Sequence, residues 1–305
     1  MDISVVIPVY NNESTLELLF NRLIKVLTQE PFISVKKEII LINDGSTDSS
    51  AEVIRNYWRK QKADIEVSQI NFTRNFGQVS AILLGANEAK GKCVATLSAD
   101  LQDPPELIAE MFEGWKKGIP INLGYRKIRA DGFFNRFFSA LFYYIIKKYY
   151  PKLPIGGFDY VLLDRKVIDD LTSIQYKKRF LQGDIINLGY PVVWYHYKRD
   201  QPATLKNKLF NPFKINYFID SLFHTKFLIS FLFIESSIIV ASGVLTIAAH
   251  FFLENINCLV IGLVILLFGI INMSFTAVVA YLWRVYNDMK IYPEYIIMNR
   301  EFYTL

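Results

Sequence analysis

A length of 305 residues leaves room for a catalytic domain plus something smaller. The formal net charge of +5 is modest and comes with no recognition motif, which argues against a nucleic-acid partner, and two distant cysteines, Cys93 and Cys258, argue against a disulfide framework. Hydrophobic residues reach 52% and aromatics 15%, above the soluble average, and the excess is uneven: polar turns interrupt apolar runs up to about Tyr197, whereas from about Phe227 the chain is nearly continuous hydrocarbon.

In chain order, Ile3 to Val9 (ISVVIPV) is a β-branched run expected to form a buried parallel strand. Ser14 is the expected N-cap of a helix that runs to Leu27, with Glu17 three residues on. Glu38 to Ile42 predicts a second strand ending in the loop Asn43 to Asp48, followed by a helix to about Arg59. Ile65 to Ile70 predicts a third strand, Gln78 to Ala89 a helix, Cys93 to Leu97 a fourth strand, and Ile121 to Tyr125 a fifth. Between the last two, Asp103-Pro104-Pro105-Glu106 starts another helix, proline being tolerated in the first turn. Such alternation predicts a doubly wound, mostly parallel sheet with right-handed crossovers. Ligands bind at the C-terminal ends of such strands, so the loops after Val9, Ile42, Ile70 and Leu97 are expected to line one cleft. The chain opens on strand-like sequence with no basic region and cleavage site, so no signal peptide is expected.

Phe133 to Tyr150 has helical periodicity, many aromatics and basic flanks; it is either a core helix or an interfacial helix on a membrane, and Asn211 to Thr225 has a similar amphipathic pattern. Phe227 to Phe252 and Cys258 to Trp283 each span 26 residues, more than the ~20 needed to cross a bilayer. The first carries Glu235; the second has no formal charge. The turn Leu253 to Asn257 holds no Lys or Arg, while Lys206, Lys208, Lys214 and Lys226 precede the pair and Arg284, Lys290 and Arg300 follow it. The positive-inside rule then puts both ends, and the large domain, in the cytoplasm. The expected organisation is a domain over 1–205, a juxtamembrane segment over 206–226, two transmembrane helices within 227–283 and a cytoplasmic tail over 284–305.

Several polar residues sit where this layout puts a cleft. Asp44 either accepts hydrogen bonds from a base or ribose, or merely caps the next helix as part of an Asp-Gly turn. Asp100, after the fourth strand, has the placement of a ligand for a hard cation on a diphosphate, for which one or two carboxylates plus phosphate oxygens suffice. Asp103 and Glu106 read as charges favoured by a helix N-terminus. Arg126, Arg129 and Arg136 suit either a phosphate held near a bilayer or membrane-surface duty, and Arg179 and Gln182 follow as another polar cluster. Asp159 follows the glycine pair Gly156-Gly157 and could be base, metal ligand or hydroxyl acceptor. His196 reads as structural.

Seven segments together carry a family resemblance: VVIPVYNNE (Val5 to Glu13), INDGSTDSS (Ile42 to Ser50), TRNFGQVSAILLGANEAKG (Thr73 to Gly91), ADLQDPPE (Ala99 to Glu106), GYRKIR (Gly124 to Arg129), GGFDYVLLDRKV (Gly156 to Val167) and KRFLQGD (Lys178 to Asp184). Across almost its whole length the chain resembles the family 2, GT-A-fold glycosyltransferases of the polyisoprenyl-phosphate type. The resemblance implies that Pro8, Val9, Tyr10, Glu13 and Asp44 hold the nucleotide, with Arg74, Gln78, Ser98 and Ala99 in the same nucleotide-sugar site. It implies Mg²⁺ or Mn²⁺ on Asp100 with Asp159 at the reaction centre, and Arg126, Arg129, Arg136 and Arg179 on phosphates of donor or lipid acceptor. The chain departs from the family pattern in four places. Ser98 replaces the first aspartate of Asp-x-Asp, Asn43 replaces the first of Asp-Asp-Gly-Ser, Val161 stands where an arginine is common, and the Lys-containing segment RDQPATLKNK is degenerate.

The implied function is inverting transfer of a hexose, glucose from UDP-glucose being the first choice, to a polyprenyl phosphate at the cytoplasmic face of a bacterial inner membrane, for cell-surface glycan modification. The implied partners are a nucleotide-sugar donor, the lipid acceptor and the bilayer, with no nucleic acid; a homo-oligomer stays open. Two rivals remain: a family 2 transferase acting on a sugar hydroxyl, and a membrane scaffold that binds nucleotide sugar without transfer.

Overall fold

The structure, a computed structural model, describes residues 1–62, 64–126, 150–151, 153–154, 157–174, 180–197, 227–253, 256–289 and 293–303. The chain divides into two compact units, one of Met1–Gln175, Phe180–Leu209 and Pro293–Leu305, the other of Tyr176–Arg179 and Phe210–Tyr292.

The first unit is an α/β sandwich. Its strands are β1 (Ile3–Val9), β2 (Lys37–Asn43), β3 (Glu66–Phe72), β4 (Cys93–Thr96), β5 (Ile121–Arg126), β6 (Tyr160–Asp164), β7 (Val192–Tyr197) and β8 (Ile297–Tyr303). Its helices are α1 (Leu16–Leu27), α2 (Ser50–Trp58), α3 (Gln78–Glu88), α4 (Leu107–Lys116), α5 (Arg165–Ser173) and α6 (Leu181–Asn187). One sheet holds all the strands in the order β7-β5-β6-β4-β1-β2-β3-β8. β1, β2, β3 and β4 pair in parallel, as expected. β6 runs antiparallel to both β4 and β5, and β8 antiparallel to β3, so only these two oppose the rest.

Alternation along β1 explains the layering. Ile3, Val5, Ile7 and Val9 point into a core shared with α1, α2 and α4, while Val6 points into a second core with α3, α5 and α6. Each of these side chains is fully buried, so β1 is central and covered on both faces, which is why it reads as an unbroken apolar run. Cys93 is a buried free thiol.

Two local expectations shift. The N-cap of α1 is Thr15, not Ser14; its side chain makes no cap bond, and its hydroxyl donates to Ala99 O at 2.7 Å, a long-range bond. The segment expected to be a tail contains β8, which adds an edge strand to the sheet.

The second unit contains α7 (Phe227–Leu253) and α8 (Ile256–Met289), packed side by side with close backbone approach where Gly243 meets Gly262 and Leu266. Among the described residues one stretch, Leu259–Leu282, is long and apolar enough to cross a membrane. Its 24 residues rise about 36 Å as a helix, and Leu263, Leu267, Phe268 and Phe275 on it are more than half exposed. The described apolar part of α7, Ile234–Ala249, is shorter.

Candidate active site

The loops after β1 and β2 are stitched together by polar side chains. Asn11 Oδ1 accepts from Thr47 N at 2.9 Å, and Ser46 Oγ accepts from Asn11 N at 3.1 Å. Glu13 Oε2 accepts from Ser49 N at 2.8 Å, and Asp48 accepts from Glu13 N. Glu13, expected to hold nucleotide, thus ties the β1 loop to the start of α2. Asn11 has a left-handed backbone, φ 53°, which asparagine tolerates better than most residues.

Asp44 is buried, and its two oxygens accept from Phe76 N at 2.6 Å and Gly77 N at 2.9 Å. It therefore joins the β2 loop to the β3 loop. Burial pushes its carboxyl up to about 6 even though both amide bonds favour the charged form. Unfolded, the group ionises near ~3.9. Between about pH 4 and pH 6 the native chain holds a proton that the unfolded chain has lost, so this residue's contribution to stability falls as pH rises through that window. Thermal melts of wild type and Asp44→Asn from pH 4 to 7 are expected to show it: the wild type loses ground relative to the variant as pH rises, and parallel curves would overturn the assignment.

These loops enclose a cleft of about 470 Å³ lined by Tyr10, Ser46, Thr47, Arg74, Asn75 and Asn299, among others. Tyr10 is exposed, and the Arg74 guanidinium lies 4.3 Å from the Phe76 ring centroid, a cation–π contact that steadies a positive charge at the cleft. Of the other residues expected here, Val9 is a core side chain whose carbonyl accepts from Asp44 N at 2.9 Å; Pro8 lies in the same strand, and Gln78, exposed, opens α3. Asn43, Arg55, Asn71, Met298 and Asn299 also line the cleft and were not anticipated.

The acidic loop after β4 forms a second cluster. Ser98 Oγ lies 2.8 Å from Asp100 Oδ1 and 2.7 Å from Asp103 Oδ2. Asp100 Oδ1 also accepts from Gln102 N at 3.0 Å, across Leu101, whose φ is 62°. Asp103, expected to serve a helix start, is buried and accepts from the Tyr197 hydroxyl at 2.5 Å, which fastens the loop to β7. Glu106 keeps the expected place at the N-cap of α4 and pairs with Arg22 at 2.8 Å. Asp159 arrives from β6. Continuing the β4–β6 register two steps beyond Thr96 and Val161 sets it opposite Ser98, and Thr96 Oγ1 donates to Asp159 O at 3.3 Å. Gln182 Nε2, from α6, donates to Phe158 O at 2.6 Å and Asp159 Oδ1 at 3.3 Å. The Thr15–Ala99 bond links this loop to the β1 loop, so the two clusters share one edge of the sheet.

Among the described residues no three His, Cys, Asp or Glu side chains converge as a metal site. The donor set still fits a divalent cation that takes most of its ligands from a diphosphate. Ser98 has one proton and faces two carboxylates, and a cation on Asp100 would offset their mutual repulsion. Arg126 ends β5 alongside Tyr197 of β7; Arg129, Arg136 and Arg179, like both amphipathic segments, lie outside the described residues. His196, read as structural, bonds the Tyr125 hydroxyl.

Comparison with known proteins agrees with this arrangement. Residues 4–172 match the family model described as glycosyl transferase family 2. The uncharacterized glycosyltransferase YkcC of Bacillus subtilis is 32% identical over 316 residues, covering 97% of this chain and 93% of that protein. The bactoprenol glucosyl transferase of Shigella phage SfV is 31% identical over 191 residues, 62% of this chain and 60% of that protein. Among solved structures, glucosyl-3-phosphoglycerate synthase from Mycobacterium tuberculosis is similar in fold, with a TM-score of 0.51 at 14% identity over 72% of this chain and 78% of that one. With a matching family model over more than half its length, a relative similar along nearly the whole chain and a sheet whose loops build the cleft at its expected edge, this chain belongs to glycosyl transferase family 2 and is a glycosyltransferase of the GT-A fold.

Proposed function

We propose that the enzyme transfers a hexose from a nucleotide sugar to a polyprenyl phosphate at the cytoplasmic face of a bacterial membrane, glucose from UDP-glucose being the first choice. The observation that carries this reading is that a transferase domain shares its chain with an outward-facing apolar helix, Leu259–Leu282. An enzyme so built meets an acceptor in the bilayer. The similarity to a bactoprenol glucosyl transferase supports a polyprenyl acceptor and glucose.

Chain topology favours two crossings. β7 and β8 belong to one sheet, and both helices lie between them in sequence. If α8 crosses the bilayer once, the chain must cross a second time to rejoin the sheet, and α7 is the described helix that can do so. The lysines and arginines flanking the pair favour a cytoplasmic domain by the positive-inside rule.

In the reaction, an oxygen of the lipid phosphate bonds to the anomeric carbon as the bond from that carbon to the nucleotide diphosphate breaks, with inversion. The bonding electrons leave with the diphosphate. A phosphate monoester with its second pKa near ~6 is already mostly dianionic at neutral pH, so no residue need deprotonate it. Asp159, steadied by Gln182, then orients the reacting groups. Asp100, with Asp159, would hold Mg²⁺ or Mn²⁺, which supplies positive charge for the departing diphosphate. Arg74 adds a fixed charge in the cleft, and Arg126, Arg129, Arg136 and Arg179 are assigned to donor or acceptor phosphates.

Membranes containing the enzyme and polyprenyl phosphate, given labelled UDP-glucose, UDP-N-acetylglucosamine or GDP-mannose, are expected to form a labelled glycolipid with one of them. No glycolipid with any donor and either metal would sink the proposal; nucleotide-sugar binding without turnover would point to the scaffold.

A further inference from the structure

The donor cleft is completed by a strand that the chain supplies only after its helical hairpin. Asn299 of β8 lies opposite Asn71 of β3, and Met298 and Asn299 both line the cleft. β8 is firmly docked. Glu301 takes two bonds from Arg55, at 2.8 and 2.5 Å, and Arg300 gives two to Glu88, at 2.9 and 3.0 Å.

A relay of amides runs from the β2 loop to this strand, and its direction is determined. Ser46 N lies 3.1 Å from Asn43 Oδ1; a backbone N–H only donates, so Asn43 accepts there and turns its Nδ2 toward Asn71 Oδ1, 2.9 Å away. Gln69 Nε2 donates to the same Asn71 oxygen at 2.9 Å, while its Oε1 accepts from the Tyr303 hydroxyl at 2.7 Å. Asn71 must therefore give its Nδ2 to Asn299 Oδ1, at 2.7 Å. Asn299 has its oxygen committed and its NH₂ group left as the end of the relay at the cleft wall. Three of the amides in this relay, Asn43, Gln69 and Asn71, are buried, so their orientation is costly to reverse.

We propose that Asn299 is a specificity residue for the donor: its NH₂ group donates to a carbonyl oxygen on the nucleobase, so the cleft prefers oxo bases, uracil or guanine, over adenine, whose edge presents an amino group. This rests on reading the cleft as the donor site. Two features favour the base over the phosphates at this end. Tyr10 offers an exposed aromatic face for stacking. The strand order β4-β1-β2-β3-β8 also puts Asn299 at the opposite side of the site from Asp100, about four strand spacings or ~19 Å away.

The test is calorimetric titration of the full-length protein in nanodiscs with UDP, GDP and ADP. Wild type is expected to bind UDP or GDP well above ADP. Asn299→Ala should weaken the preferred nucleotide about tenfold, the scale of one hydrogen bond, and leave ADP unchanged. Asn299→Asp still accepts from Asn71 but presents an acceptor to the cleft, so it should erase the preference over ADP while β8 stays docked. Unchanged UDP and GDP affinity in both variants overturns the role of Asn299 and leaves the donor site standing. Equal weakening of all three nucleotides also overturns it, because that marks a structural role. Failure of wild type to bind any of the three overturns the donor-site reading itself.

Discussion

Asp100→Ala is expected to lower glycolipid formation by about a thousandfold, equivalent to roughly 4 kcal/mol of transition-state stabilisation. In the proposed reaction the lipid phosphate arrives already charged, which leaves the negative charge that builds on the departing diphosphate as the main barrier. Asp100 is the described acidic residue best placed to hold a counter-charge there: it stands at the C-terminal end of β4, with its carboxylate oriented by Gln102 N and Ser98 Oγ. Asp100→Asn keeps the side chain's shape and loses its charge, so it separates the two contributions. A loss of a hundredfold or more in the asparagine variant, with an unchanged melting temperature, assigns the effect to charge. Full activity in Asp100→Ala, measured with labelled donor in membranes, removes Asp100 from the mechanism.

Gly45→Ala is expected to cost about 3 kcal/mol or more of stability and most of the activity. Gly45 has φ +63°, and a Cβ there would lie 2.2 Å from the carbonyl carbon of Arg74 and 2.6 Å from Asn75 N. Those are backbone atoms, which cannot rotate away as a side chain would. The β2 and β3 loops must separate, which breaks the Asp44 bonds to Phe76 and Gly77 and shifts Arg74 at the cleft wall. Gly118→Ala serves as the control: its φ is +88°, but a Cβ there meets nothing within 4 Å, so only the dihedral penalty of about 1 kcal/mol applies. A thermal midpoint lowered by about 6–12 °C in the first variant and a few degrees in the second is the expected pattern. Equal, small shifts would mean that the two loops move apart freely.

Much of the fold is legible along the chain because its rules are local. Each of the first five strands ends within two residues of its expected boundary, since a strand buried on both faces must be apolar without interruption and a turn must be polar. β6 was not among the expected strands: that Tyr160–Asp164 runs antiparallel between β4 and β5 depends on partners 36 to 71 residues away. β8 carried little signal. Ile297–Tyr303 is an edge strand of mixed polar and apolar residues, and its pairing bridges 228 residues between Asn71 and Asn299.

The candidate site divides in the same way. Asp44 and Asp100 follow β2 and β4, where the order of elements alone makes them candidate site residues, and Asp159 was singled out by the glycine pair before it. Their partners do not follow from that order. Whether Asp44 faces ligand or protein is decided by the Phe76 and Gly77 amides, and whether Ser98 is a lost carboxylate or a bridge is decided by Asp103 folding inward to meet Tyr197.

The sequence by itself therefore determined the class of protein, the sheet's central strands, the edge that carries the candidate site and the two apolar runs, because hydrophobic periodicity and strand-end position act over a few residues. The tertiary structure alone decided how the cleft is walled and which amide faces it. Those choices belong to hydrogen bonds between residues far apart in the chain, where burial makes an unmatched donor or acceptor cost about 1–3 kcal/mol and so selects one arrangement.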